Sequence, residues 1–343
     1  MSSTHPPLRV GILGAGWPGE RHADGYLACD DTRIVAVSDL DPARRAAFAR
    51  HYDIEQSYAD YHDLLANPAI DAVSIALPNF LHRPATVAAL EAGKHVLCEK
   101  PPALTLADAR QMAATAQQAN RLLAYAVQRR FNHATEAIRS QILEGRLGEI
   151  YHARAVWTRV WGVPRGIGNW FTDPDRAGGG ALIDIGVHVL DLAWFLMGCP
   201  SVASVSGQIY NKYPQLTRTE DSAFALIRCT DGRSIQLEAS WVLAQAADTM
   251  GVHLYGTLGG AHLDDHTAER YTISAEERTR HSMILQGGVP AFTAQTINFV
   301  RSIRGEEAPR TPAEQGTRLM AILEAIYRSA AMGREISMAE LTS

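Results

Sequence analysis

Two short segments far apart in the chain carry the residue types that alcohol–carbonyl chemistry needs. Gly14-Ala15-Gly16-Trp17-Pro18-Gly19 directly follows an apolar run at 8–13. In such a loop the first glycine permits a tight turn, the second lets a pyrophosphate approach the backbone, and the third allows a helix to pack closely on a strand. The loop also opens a helix, whose N-terminal amides suit a phosphate. The second segment is Asp184-Ile185-Gly186-Val187-His188-Val189-Leu190-Asp191. It places a carboxylate four residues before a histidine, on one face of an α-helix. An imidazole can take a proton from an alcohol and return it to a carbonyl, and Asp184 can orient the ring or the substrate. Between the two, Glu99-Lys100-Pro101 sets an ammonium at a strand end, where it can hydrogen-bond a reacting oxygen and favour an alkoxide. The combined chemistry is redox on a nicotinamide cofactor.

Asp39 ends the second strand about 20 residues beyond Gly19, the place of a ribose-binding carboxylate. A carboxylate there accepts from both adenosine ribose hydroxyls and repels a 2′-phosphate, so NAD is expected over NADP. Arg44 and Arg45 are the residues that would favour a 2′-phosphate, but they read more simply as solvated helix-face charges. Trp17 and Pro18 lie in the loop above the phosphates, where they either meet the cofactor or cover the strand end. Leu77-Pro78-Asn79, with His82 just beyond, are the cofactor-binding candidates at the next strand end. Simpler roles compete for the other motifs. Glu99 and Lys100 can be a surface pair, and His188 a satisfied core histidine. Asp184, His188 and Asp191 also have the chemistry of zinc ligands, but no second histidine at ligand spacing supports a metal, and none is expected.

The elements that must position these residues come in two grammars. Residues 1–127 alternate strand and helix patterns, with strands at 8–13, 34–38, 72–76, 95–98 and 122–127 and helices at 20–28, 42–50, 81–91 and 106–118. Pro42 suits a first helical turn, Gly93 a C-cap, and Thr105 an N-cap with Asp108 three residues on. This is the pattern of a doubly wound parallel sheet, a Rossmann domain. Residues 128–343 differ. A helix at 133–143 is followed by strands at 156–161, 202–210, 224–229, 234–241 and 252–255, with a hairpin turn at Asp231-Gly232 and closing helices at 292–304 and 313–331. Runs of strands of this kind indicate an α+β domain with a large open antiparallel sheet.

Length and composition bound the rest. At 343 residues two domains are expected. A hydrophobic share of 46% with 20% charged residues describes a soluble globular protein and not a disordered one. A formal net charge of −5 offers nothing to nucleic acid or to an anionic membrane. No apolar run approaches the ~18 residues of a membrane span. The polar start, with Pro6 and Pro7, is neither a signal nor a transit peptide. Cys29, Cys98, Cys199 and Cys229 stand singly, as reduced thiols do in a cytoplasmic protein.

Taken in order, the motifs resemble the Gfo/Idh/MocA family of nicotinamide-dependent oxidoreductases over essentially the whole chain. The similarity rests on the glycine loop with His22 behind it, Glu99-Lys100-Pro101, and Arg129-Arg130-Phe131-Asn132. It extends to Gly178-Gly179-Gly180 running into Asp184-x-Gly186-x-His188-x-x-Asp191, and to Thr311-Pro312-Ala313-Glu314-Gln315-Gly316 before the last helix. The resemblance implies that Lys100, Asp184 and His188 are catalytic, and that Asn79, Glu99 and Lys100 line the nicotinamide side. It also implies a homodimer or homotetramer formed through the C-terminal sheet. Trp157, Trp161, Trp170 and Phe171, among Arg159 and Arg165, suit a polyol or pyranose ring as well as they suit ordinary packing. Trp161 and Trp170, with Asp184 and His188, are the substrate-binding candidates. A sugar, polyol or inositol substrate therefore rests mainly on the resemblance. Two alternatives stay open: redox-neutral, NAD-dependent glycoside cleavage or elimination, and a dinucleotide-binding regulator without catalysis.

Overall fold

The computed structural model describes residues 6–164, 170–273, 278–285 and 288–341. Its first elements follow the apolar runs. β1 (Leu8–Leu13), β2 (Thr32–Ser38), β3 (Gln56–Tyr58), β4 (Ala72–Ile75), β5 (His95–Glu99) and β6 (Leu123–Ala126) alternate with helices. These are α1 (Trp17–Leu27), α2 (Pro42–His51), α3 (Tyr61–Leu65), α4 (His82–Glu91) and α5 (Leu106–Ala119). The strands lie in the order β3-β2-β1-β4-β5-β6, every pairing parallel. The order reverses between β1 and β4, which is where a doubly wound sheet opens a ligand crevice. β4 is buried at every position, as a strand covered on both faces must be. The helix starts follow their caps: the Asp41 carboxylate accepts from the amides of Ala43 and Arg44, and the Thr105 hydroxyl accepts from Asp108 N. β3 is the strand that no apolar run announces. It is a short polar edge strand, exposed or half-exposed throughout.

The chain continues through α6 (His133–Leu143), β7 (Ile150–Thr158), α7 (Pro174–Ala177), a π-helical turn (Leu182–Gly186) and α8 (Val187–Leu196). Then come β8 (Val202–Tyr210), β9 (Ser222–Cys229), β10 (Ser234–Ser240), β11 (Thr249–Gly256), β12 (Gly260–Leu263), β13 (Ala268–Ile273) and β14 (Arg278–Ser282). The last elements are α9 (Ala291–Ile303), α10 (Ala313–Met332) and β15 (Ile336–Ser337). The second sheet has the order β14-β13-β12-β11-β7-β10-β9-β8-β15. It is antiparallel except for β7 beside β10, which run parallel in the register Trp157↔Ala239. That exception to an all-antiparallel expectation has a topological cause. The chain leaves β7 through α8 and re-enters the sheet at β8, and the antiparallel steps from β8 to β9 and from β9 to β10 then set β10 parallel to β7. β7 also begins and ends earlier than the expected 156–161. Its first half alternates polar His152 and Arg154 with buried Ala153 and Ala155, so it lacks a continuous apolar signal.

Two compact units result. One comprises Met1–Gln128 with Val289–Thr317, the other Arg129–Gly288 with Arg318–Ser343. The first unit therefore takes back a late segment that a single cut at 127/128 assigns elsewhere. Packing explains the return: Phe299 and Val300 of α9 join Val10, Ile12, Tyr26, Val37 and Phe48 in one core cluster. α1 and α9 meet so closely that a Cβ at Gly25 would lie 2.4 Å from Thr296 Oγ1. The 311–316 segment closes the same unit. Thr311 O accepts from Tyr125 N at 3.1 Å, and Gly316 leaves room for the Tyr125 ring. In the second unit α8 packs on β7, β10 and β11. The helical run Pro174–Leu196 is long and apolar enough to cross a membrane by length and composition, contrary to the expectation that no run approaches that size. Its most apolar window is 83% buried inside the fold, so this apolar character serves a core helix.

Phe299 is 1% exposed in the core of the nucleotide-binding unit. Phe299→Ala should cost about 3–5 kcal/mol through lost burial and the cavity left behind. The urea midpoint of the unit should fall accordingly, and an unchanged midpoint would show that α9 is peripheral to the core.

Candidate active site

The glycine turn is built from the end of β1. Gly14 has φ of +98°, and a Cβ there would sit 2.3 Å from Ala76 O, at the end of β4. A Cβ at Gly19 would lie 2.1 Å from Gly14 O, so the first turn of α1 rests directly on the strand end. Gly16 is the N-cap of α1 and carries no side-chain cap. A Cβ on it would meet nothing nearer than Pro18 Cδ at 3.8 Å. Backbone donors facing open space at a helix N-terminus suit a pyrophosphate. Trp17 is 61% exposed and meets Phe292 edge-on, with ring centroids 5.5 Å apart.

Asp39 stands where the sequence places it, and it also braces the loop. Its Oδ2 accepts from Ala15 N and its Oδ1 from Asp41 N, both at 2.9 Å. A carboxylate has about four lone-pair sites, so capacity remains for ribose hydroxyls. Arg44 Nε lies 3.6 Å from Asp39 Oδ2, and its Nη2 lies 3.5 Å from Asp41 Oδ2. Arg45 donates to Asp39 O at 2.6 Å. Arg45 is thus engaged with the acidic turn, whereas Arg44 is an exposed helix-face charge beside it.

At the other side of the switch point the residues divide. Glu99 is 8% exposed. Its Oε1 lies 3.1 Å from His22 Nε2, and its Oε2 accepts from Lys100 N at 3.0 Å. This excludes the surface-pair reading of Glu99 and makes it a brace between α1 and the end of β5. The Lys100–Pro101 peptide bond is cis. Asn79 is buried in a 3₁₀ turn (Asn79–Leu81) that starts α4, beside half-buried Leu77 and Pro78. His82 corrects the expectation of a cofactor contact. Its ring is fully buried, with Nδ1 2.8 Å from Pro101 O and Nε2 2.9 Å from Leu77 O. Burial lowers its pKa; a neutral imidazole has one N–H and so donates to one of these two carbonyls, and no part of the ring is exposed.

The acid/base segment differs from a plain α-helix. Asp184 falls in the π-turn and His188 in the first turn of α8. The expected one-face pairing therefore rests on a wider turn, of the kind often found at functional sites. Trp241, fully buried just after β10, donates its indole N–H to Asp184 Oδ2 at 3.0 Å. His188 is 6% exposed, and its ring lies 5.6 Å from that of Trp157. The same indole carries the Arg129 guanidinium at 4.4 Å and that of Arg159 at 5.3 Å. Asp191 is taken bidentately by Arg130, at 2.7 and 2.6 Å, with both side chains 2% exposed. It belongs to a structural ion pair.

Glu220, which no motif signals, holds the start of this segment. Its Oε1 accepts from Gly180 N at 2.8 Å, Leu182 N at 3.1 Å and the Tyr327 hydroxyl at 2.8 Å. Burial raises its carboxyl above the usual range in spite of these bonds. Of the aromatic candidates, Trp157 is the one against His188. Trp170 is buried and stacked on Phe171 at 3.9 Å. Trp161 is 56% exposed, edge-on to Tyr213. Arg165 lies outside the described residues.

A parallel sheet with its glycine turn at the switch point and a carboxylate at the end of β2 makes the first unit a dinucleotide-binding domain. Residues 8–127 match the NAD-binding Rossmann fold of the Gfo/Idh/MocA oxidoreductase family, and residues 139–338 match that family's C-terminal alpha/beta domain. The chain belongs to this family of NAD-binding oxidoreductases. It is 34% identical to the D-glucoside 3-dehydrogenase of Escherichia coli (strain K12), across 98% of this chain and 99% of that protein. It is 24% identical to the myo-inositol 2-dehydrogenase of Thermotoga maritima, across 97% of this chain and 99% of that protein. Its fold is like that of a levoglucosan dehydrogenase solved with NADH and levoglucosan, with a TM-score of 0.87, 24% identity and coverage of 97% and 99% of the two chains.

Glu220 gives a pH prediction. A carboxyl whose folded pKa is raised keeps its proton in the folded state over a range where the unfolded chain has lost it. Stability therefore falls as pH rises from the ordinary carboxylate range through the raised value. Urea midpoints measured against pH should show this fall in the wild type, and Glu220→Gln should lack it. Equal slopes in the two proteins would mean that Glu220 is ionised without penalty.

Proposed function

We propose that this protein transfers a hydride between NAD and a secondary alcohol of a sugar, polyol or inositol-like substrate. The observation that carries the reading is the Asp184–His188 segment, with its carboxylate held by Trp241 and its imidazole set on Trp157. Similarity to the D-glucoside and myo-inositol dehydrogenases supports the substrate class. In oxidation His188 takes the proton of the substrate hydroxyl, and in reduction it returns one to the carbonyl oxygen. Asp184 orients the reacting alcohol, and Lys100 donates to its oxygen and favours the alkoxide. The half-buried Trp157 and the exposed Trp161 offer apolar faces to a sugar ring. NAD, when bound, supplies the hydride acceptor. Gly14, Gly16, Trp17, Pro18 and Gly19 form its pyrophosphate loop, Asp39 receives the adenosine ribose, and Leu77, Pro78, Asn79, Glu99 and Lys100 frame the nicotinamide side. We place the protein in the cytoplasm, as a homodimer or homotetramer built on the C-terminal sheet.

Methyl glucosides, 1,6-anhydroglucose and myo-inositol, each followed by NADH absorbance, test the substrate class. His188→Asn should lower the oxidation rate by about 10²–10⁴ and abolish its rise with pH, with NAD binding retained. A near-normal rate with the wild-type pH profile would assign proton transfer to another group.

Titration by intrinsic tryptophan fluorescence should show tighter binding of NAD than of NADP. Asp39→Ala should narrow the difference by removing the negative charge that opposes a 2′-phosphate. Tighter NADP binding by the wild type would overturn the assignment, with Arg44 and Arg45 the residues responsible.

A further inference from the structure

We infer that Trp241 is a positioning residue for the reaction, acting through Asp184; the inference rests on the role given to Asp184 above. The π-turn lies flush on β10: a Cβ at Gly186 would come 2.9 Å from the Cβ of Ala239. Trp241 follows directly on β10 and packs with Ala181 and Ile185, so its indole lies beside the turn. Its N–H then meets Asp184 Oδ2 at 3.0 Å.

Trp241 itself is fixed on every side. Its backbone N–H donates to Asp221 O at 2.9 Å, its carbonyl accepts from Gly162 N at 2.7 Å, and its ring packs with Val163, Ala181 and Ile185. The indole is a rigid donor with no acceptor function. It can therefore hold the carboxylate in one rotation about χ2 without competing for a proton. The spacing Asp184-x-Gly186 follows from the same contact, because the glycine lets the turn come close enough for the indole to reach.

The loss expected on removing the N–H is that of a hydrogen bond to a charged group, which corresponds to roughly 10–100-fold in turnover. Trp241→Phe keeps an aromatic ring and lacks the donor. It should lower kcat on the sugar panel by that factor, and the NAD dissociation constant should stay at the wild-type value. In an Asp184→Ala background the same change should have no further effect on the residual rate. A second measurement needs no turnover and no Trp241 variant: the indole N–H resonance of Trp241 should move upfield in Asp184→Ala. Independent, multiplicative losses, or an indole resonance indifferent to Asp184→Ala, would overturn the inference and leave Trp241 as packing. Wild-type turnover by Asp184→Ala would instead overturn the catalytic role of Asp184, and with it the positioning role, even where the resonance moved.

Discussion

Between the π-turn Leu182–Gly186 and β10 there is no room for a side chain at Gly186, and the geometry of the second unit follows from that closeness. It brings Asp184 to the indole of Trp241. Because β7 runs parallel to β10 with Trp157 beside Ala239, the neighbouring strand presents a second indole to His188. Glu220 takes the amides at the start of the segment, and Arg130 takes Asp191 further along it. Asp184, Gly186, His188 and Asp191, close in sequence, thus answer to separate parts of the fold. A helix held at so many points has little freedom to rotate, which is what a proton-transfer group needs.

The buried charges show how that rigidity is obtained. An ion pair taken out of water contributes little net stability, because desolvation offsets the attraction, but removing one partner is costly. Arg130 with Asp191 therefore acts mainly as a fixed joint, while Arg129 pairs with the half-exposed Asp265. Arg129 and Arg130 are neighbours in sequence and point to different partners, one beside the Trp157 indole and the other beside Phe195. In the first unit Asp39 has a comparable double task. It ties Ala15 and Asp41 before any cofactor is considered, so the glycine turn is shaped by the protein's own hydrogen bonds.

The nucleotide-binding unit is not complete when its sixth strand ends. α9 supplies Phe299 and Val300 to its core, and the 311–316 segment lies along β6. The latter motif does its work by packing: Pro312 bridges Ala124, and Gly316 accommodates Tyr125. A motif shared with a family can mark a joint of the fold as readily as a catalytic group.

Much of this protein is legible in its residues alone. The parallel sheet, the glycine turn, Asp39, the capped helices and the paired acid and imidazole all depend on local rules: strand burial, cap chemistry, positive φ and helical spacing. The strands without a signature in the sequence, β3 and β12 to β15, are short or polar, and an edge or solvent-facing strand needs no apolar signature. What the tertiary structure alone decided are relations between distant residues. These are His22 with Glu99, Glu220 with Gly180 and Tyr327, Arg130 with Asp191, Trp241 with Asp184, and the return of α9 to the first unit. None has a spacing to read, because each partner is placed by a different strand or helix. The same limit applied to His82 and the π-turn: the residue types were visible, but their orientation depended on carbonyls and strands that only the folded chain brings near.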